Sequence, residues 1–259
     1  MCRLLGIIAN KPVDLEFSLQ KFKEFSIRNP DGWGIGWYEK GKAKVFKQGI
    51  KATDRESKLS ILSKQVKSHI IISHVRKRTE GSASTANSHP FKFNNWLFAH
   101  NGSIDKKYIS SLLRESYIKA LKGETDSEIY FFWLLQNIED HGDIVLGLKS
   151  ALDIIKNNHY TGLNFLLSDG NCLIAFRYSS NLRDYYSLYS LERKNFNIES
   201  FDYISKETDV LLRSKLLNSE ASVLICSEKL TEENWKEIEL GNIHTIDSGL
   251  NKIEMRIIS

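Results

Sequence analysis

The chain has 259 residues, 41% of them hydrophobic and 11% aromatic, enough to bury roughly three quarters of the unfolded surface. This excludes a disordered chain and leaves one large domain, residues 1–259, as the expected organisation. Lys and Arg total 36 against 32 for Asp and Glu, and the resulting +4 is spread along the sequence, so no nucleic-acid partner is expected.

Cys2, Cys172 and Cys226 are odd in number and form no CxxC pair, which argues against a disulfide framework or a structural zinc site. Cys172 and Cys226 sit in apolar runs and read as buried thiols. The opening apolar stretch is too short for a signal sequence, and no run approaches the ~18 residues of a membrane helix. A cytoplasmic protein with no membrane partner is expected.

Residues 4–9 read as a buried strand, with Cys2 just ahead of it. Leu15, Leu19, Phe22 and Ser26 recur at helical spacing and predict a helix over 14–27. Asn29-Pro30-Asp31-Gly32 signals a turn, and 33–38 with 43–48 flank Glu39-Lys40-Gly41-Lys42 as a hairpin. Leu59, Leu62 and Val66 mark a second helix, and 70–75 is a buried strand. Residues 77–95, with Gly81, Pro90 and several serines and asparagines, read as one long polar loop, a type that often carries function or acts as a lid.

A strand over 96–100 is expected to stop at Asn101-Gly102. Helical patterns follow over 108–121, 129–138 and 144–155. The rest is strand-rich: 163–167 and 172–178 joined by Ser168-Asp169-Gly170-Asn171, then 185–190, 210–212, 222–227, 242–247 and 252–257. Hairpins outnumber βαβ alternation, so the fold class is layered α+β with largely antiparallel sheets.

Four places carry chemistry. Removal of Met1 would make Cys2 the first residue, joining a thiol nucleophile to an α-amine that titrates near ~7.7–8.0. Arg76 ends an apolar strand, where its fork can bind a carboxylate in two parallel hydrogen bonds or simply be solvated beside Lys77 and Arg78. Asn101-Gly102 is either a hairpin turn or an oxyanion hole formed by the amide side chain and the glycine N–H. Asp126 follows Thr125 in a Thr125–Glu128 capping box, where it complements the helix dipole or binds a substrate ammonium. His74 and His100 end buried strands and read as hydrogen-bonded structural histidines.

Together these residues resemble the class II glutamine amidotransferases, whose glutaminase domain is an N-terminal nucleophile hydrolase. Arg76, Asn101 and Asp126 follow one another at intervals of 25 residues, similar to the family's. Asn87-Ser88-His89-Pro90 looks like the family's Asn-x-His-Pro segment. Met1-Cys2-Arg3-Leu4-Leu5-Gly6, Pro30-Asp31-Gly32-Trp33-Gly34-Ile35, Gly123-Glu124-Thr125-Asp126-Ser127-Glu128 and the run from Asn164 to Gly170 are similar to the stand-alone YafJ-like branch.

The resemblance implies a four-layer αββα sandwich without an attached synthase domain. It also implies hydrolysis of the side-chain amide of glutamine or a related γ-glutamyl compound through a thioester, without metal or other cofactor. Cys2, Asn101 and Gly102 would be catalytic. Arg76, Thr79, Asp126 and Trp33 would bind the small-molecule substrate. Two alternatives share these residues: a hydrolase of γ-glutamyl peptides resembling glutathione, and a glutaminase subunit serving a separate synthase or acceptor protein. The sequence departs from biosynthetic members at Lys77 and Glu80, where they carry Trp and His, so the pocket wall differs.

Overall fold

Strand β1 (Arg3–Val13) lies between β4 (Ser68–Val75) and β10 (Ser222–Cys226) in a seven-stranded sheet. Hairpin β2 (Trp33–Glu39) and β3 (Lys42–Gln48) extends it on one side, and β9 (Tyr189–Arg193) with β11 (Lys236–Glu237) on the other. The order is β11-β9-β10-β1-β4-β2-β3, antiparallel throughout. The second sheet holds β5 (Phe91–Phe93), β6 (Trp96–Ile104), β7 (Tyr160–Ser168), β8 (Cys172–Phe176), β12 (Asn242–Asp247) and β13 (Lys252–Arg256). Its order is β13-β12-β8-β7-β6-β5, again antiparallel. This computed structural model describes residues 2–14, 16–193 and 221–258; the strand expected at 210–212 falls outside them.

Alternation along each strand builds the layers. In β1, Leu4 and Ile8 join Leu97, Ala99, Leu166 and Leu173 in the core between the sheets. Leu5 and Ile7 point the other way, into a core shared with Leu19 of α1 (Glu16–Glu24) and Leu59 of α2 (Leu59–Gln65). On the far side, Phe98, Phe165 and Phe176 pack against α5 (Asp126–His141) and α6 (Ile144–Ile155). Each fully buried Phe or Leu contributes roughly 1.5–3 kcal/mol. The result is the αββα sandwich that the resemblance implies. Helix α5 is buried continuously from Asp126 to Asn137, as its wide apolar arc predicts.

Three expectations change. Asn101-Gly102 does not stop its strand: β6 runs on to Ile104, and only the register with β7 shifts after Gly102. The long loop ends earlier, because Phe91-Lys92-Phe93 pairs back onto β6 as an edge strand, with Asn94 turning at φ 49°. The pattern over 108–121 is two short helices, α3 (Lys106–Leu112) and α4 (Glu115–Ile118), broken where Arg114 N–H donates to the Gln136 side chain. The helix predicted over 14–27 is α1 followed by one 3₁₀ turn, Phe25–Ile27. No helix among the described residues is long and apolar enough to cross a membrane.

Candidate active site

Arg3 pairs with Val75 where β1 begins and β4 ends, which sets Cys2 beside the residues that leave β4. The Cys2 sulfur lies 3.2 Å from the Lys77 nitrogen, which donates to it, and 3.2 Å from the Lys77 carbonyl, which accepts from the thiol. Cys2 is partly exposed as a residue, yet protein encloses its sulfur. Burial pushes the thiol above its ordinary value, while the Lys77 N–H and the charges of Arg76 and Arg3 pull it back. Such a thiol needs a base before it attacks.

Arg76 is 3% exposed. Its guanidinium donates to the carbonyls of Ser82 at 2.7 Å and Glu80 at 2.6 Å, so the loop leaving β4 folds back around its own arginine. Among the described residues, these contacts engage two of the five guanidinium donors. Burial lowers the Arg76 pKa, and Asp31, Asp126 and the thiolate form of Cys2 oppose that, so all four groups share one electrostatic neighbourhood.

The loop is stapled to the start of α5. Asn87 donates from Nδ2 to the Ser82 carbonyl at 3.1 Å and accepts the Glu124 N–H on Oδ1 at 2.8 Å. Lys106 bridges the Glu80 carboxylate, 2.7 Å away, and the Glu124 carbonyl. Gly32 and Gly34 admit the Ser88-His89 segment. A Cβ on Gly32 would meet Ser88 Oγ at 2.2 Å, and one on Gly34 would meet the His89 carbonyl at 2.3 Å.

Asn101 arrives from the opposite sheet. Its Nδ2 donates to the Cys2 carbonyl at 2.9 Å and to Ser227 Oγ at 3.0 Å, and its buried side chain also meets the His74 ring. Gly102 has φ +141°, and any Cβ there would lie 1.8 Å from the Gly162 carbonyl.

Asp126 opens α5 and is 4% exposed. Its Oδ2 accepts the Ile104 N–H at 3.0 Å and its Oδ1 the Ser127 N–H at 2.8 Å. Burial raises its pKa to about 6 against these two hydrogen bonds, and the Glu80 charge adds to the rise. The capping box is only half formed. Thr125 accepts the Glu128 N–H at 3.3 Å, but the Glu128 carboxylate takes the Lys122 and Gly123 N–H groups instead.

The structure thus gathers Cys2, Arg76, Asn101, Gly102 and Asp126 at one end of the sandwich. Thr79 stands exposed on the loop after Arg76. Trp33 does not join them: it is 1% exposed in the core under the first sheet, its ring 5.8 Å from that of Phe46. His100 is a hydrogen-bonded structural histidine, with Nδ1 2.9 Å from Ser127 Oγ, Nε2 3.1 Å from the Gly162 carbonyl, and a pKa lowered by burial to about 4. His74 stacks on His89 at 4.2 Å; burial lowers its pKa to about 3 against hydrogen bonding to the Asn101 side chain and the His100 backbone, and burial also lowers the pKa of His89. Both are neutral at cellular pH.

Sequence reasoning missed Ser227, which follows β10 and meets both β1 and Asn101; a lone serine after a strand gives no signal. Among the described residues, no group of three or more His, Cys, Asp or Glu is gathered as a metal site requires.

The family model described as "Glutamine amidotransferases class-II" matches residues 1–257. An uncharacterized protein of Methanocaldococcus jannaschii, MJ1515, is 35% identical over 100% of this chain and 75% of its own. The Escherichia coli protein named "Putative glutamine amidotransferase YafJ" is 28% identical over 93% of this chain and 95% of its own. The gamma-glutamyl-hercynylcysteine sulfoxide hydrolase of Mycobacterium tuberculosis is 26% identical over 70% of this chain and 78% of its own. The solved structure of a glutamine aminotransferase class-II domain protein from Silicibacter pomeroyi superposes with a TM-score of 0.67 at 22% identity, covering 98% of this chain and 99% of that one. By this match over nearly its full length, the chain belongs to the class II glutamine amidotransferases.

Proposed function

We propose that the chain, as one domain over residues 1–259, is an amidohydrolase that uses Cys2 as an N-terminal nucleophile on glutamine or a related γ-glutamyl compound. The observation that carries this reading is the contact between the two sheets at Asn101 and Cys2, 2.9 Å apart, with Arg76 and Asp126 in the same electrostatic neighbourhood. Arg76 binds the substrate α-carboxylate and Asp126 its α-ammonium, which fixes the side-chain amide near the sulfur. Two opposite charges at fixed positions select an amino-acid head group.

Met1 precedes Cys2 in the sequence, and while it remains, the nitrogen of residue 2 is an amide that cannot take a proton. Its removal frees an amine as the base. The thiol proton moves to that amine and the thiolate attacks the amide carbon. An Asn101 N–H and the Gly102 N–H bind the oxyanion. The C–N bond breaks, the proton passes to the departing amine or ammonia, and water hydrolyses the thioester.

Intact-mass spectrometry before and after treatment with diazo-oxo-norleucine tests this. The expected result is a chain lacking Met1, with one label on Cys2. Retained Met1 together with an unlabelled Cys2 would overturn the mechanism.

A second reading, hydrolysis of a larger γ-glutamyl conjugate, is supported by two observations: the hydrolase relative from M. tuberculosis, and the Glu80–Lys106 pair beside Arg76. Comparing kcat/KM for glutamine with that for γ-glutamyl peptides separates the two.

The pKa of Asp126 sets a pH dependence. A carboxyl whose pKa is raised on folding favours the folded state below its ordinary value of about 4 and loses that contribution as pH rises through about 6. Binding an ammonium needs the opposite, charged form. We therefore expect kcat/KM to rise with pH through about 6, and Asp126→Asn to abolish that limb and lower kcat/KM by ~10²-fold. The pH–rate profiles of both proteins check this.

A further inference from the structure

Asn101 has two amide hydrogens, and both are engaged: one on the Cys2 carbonyl at 2.9 Å, the other on Ser227 Oγ at 3.0 Å. To stabilise an oxyanion it must release one of them. The two acceptors differ in how firmly they are held. Ser227 is fully buried and fixed at the junction of β10 and β1. Its N–H donates to the Leu4 carbonyl at 3.1 Å, its Oγ accepts the Leu4 N–H at 2.9 Å, and its carbonyl accepts from Ser187 Oγ at 2.8 Å. The Cys2 carbonyl belongs to the partly exposed residue ahead of β1.

We infer that Ser227 is a positioning residue for catalysis. It holds one Asn101 amide hydrogen as a fixed pivot while the other transfers from the Cys2 carbonyl to the developing oxyanion. The inference rests on the proposed role of Cys2 and Asn101 and adds a residue to it. Through Leu4, the same hydroxyl also ties down the strand that carries Cys2. One side chain therefore sets the distance between nucleophile and oxyanion donor.

The test compares two electrophiles on Cys2. Diazo-oxo-norleucine presents a carbonyl in place of the scissile amide, whereas iodoacetamide alkylates a thiol by direct displacement, with no oxyanion to stabilise. In Ser227→Ala we expect the maximal rate of labelling by diazo-oxo-norleucine to fall roughly 10²-fold, the scale of a small misplacement in a site. Its half-saturating concentration should hold, because Arg76 and Asp126 are untouched, and the iodoacetamide rate should stay near that of the unaltered protein.

On an Asn101→Ala background, Ser227→Ala should cost much less than in the unaltered protein, since the part of its effect that runs through Asn101 is already lost. If Ser227→Ala does not fold, Ser227→Cys, close in volume but a poor acceptor, carries the same comparison. Unchanged diazo-oxo-norleucine labelling, an equal loss with both electrophiles, or additive losses in the double variant would each overturn the assignment. Cys2→Ala separates this failure from that of the underlying reading, which falls if hydrolysis survives without Cys2.

Discussion

Replacing Cys2 with alanine is expected to reduce hydrolysis of glutamine and γ-glutamyl amides by at least ~10⁴-fold, to background, because a thioester cannot form without the thiol. Folding should be nearly unaffected. Cys2 precedes β1 rather than lying within it, and among the described residues its sulfur hydrogen-bonds only to the Lys77 backbone. Substrate binding should also persist, since Arg76 and Asp126 remain. The variant would then bind a γ-glutamyl substrate without turning it over, which calorimetry beside an ammonia-release assay would detect. Unchanged turnover would eliminate Cys2 as nucleophile. Cys172 and Cys226 do not offer a replacement: both are buried, and burial raises their thiols to about 12.

Gly102→Ala is expected to be the most damaging single-methyl addition at the site. The backbone there has φ +141°, where an L side chain is strained, and the new Cβ would lie 1.8 Å from the Gly162 carbonyl and 2.4 Å from its carbon. Those are backbone atoms, so no rotamer change relieves the clash. Strand β7 cannot simply retreat, because Gly162 is itself backed by the Tyr186 ring, which lies 2.5 Å from where a Cβ on Gly162 would be. Tyr186 is held in turn, its carbonyl accepting from Asn164 and Arg177 and its hydroxyl donating to Thr161.

Strain and overpacking together should cost about 3 kcal/mol or more. In a chain of this size that lowers Tm by roughly 10 °C. Turnover should fall further than the unfolded fraction explains, since the same peptide presents the proposed oxyanion donor. Thermal unfolding and kcat measured on one preparation decide it; an unchanged Tm would mean that the backbone at Gly102 can move.

Both positions show where local patterns suffice and where they fail. The layered α+β class was legible because burial imposes its period on the sequence: Leu4 and Ile8 alternate with Leu5 and Ile7 along β1, and α5 is apolar over a wide arc. The turn chemistry of Lys40-Gly41 placed the β2–β3 hairpin, with both residues at positive φ. Asn101-Gly102 misled as a strand stop because the same dipeptide suits a two-residue turn and a kinked, continuing strand. Only the approach of Gly162 from β7 decides between them. Phe91-Lys92-Phe93 was too short a run to stand out, and it becomes a strand only because β6 offers it an edge. Trp33 looked like a pocket residue beside a turn, but alternation in β2 points its ring into the core.

By itself, the sequence singled out the candidate residues and their order, Cys2, Arg76, Asn101-Gly102 and Asp126, with the polar stretch that follows Arg76. It could not determine which of them meet. That Asn101 touches Cys2 and Ser227 follows from packing two sheets face to face, and that Arg76 turns onto the carbonyls of Glu80 and Ser82 follows from the path of the loop leaving β4. Contacts between residues 99 and 126 positions apart leave no local periodicity to read, whereas burial of each strand and helix does.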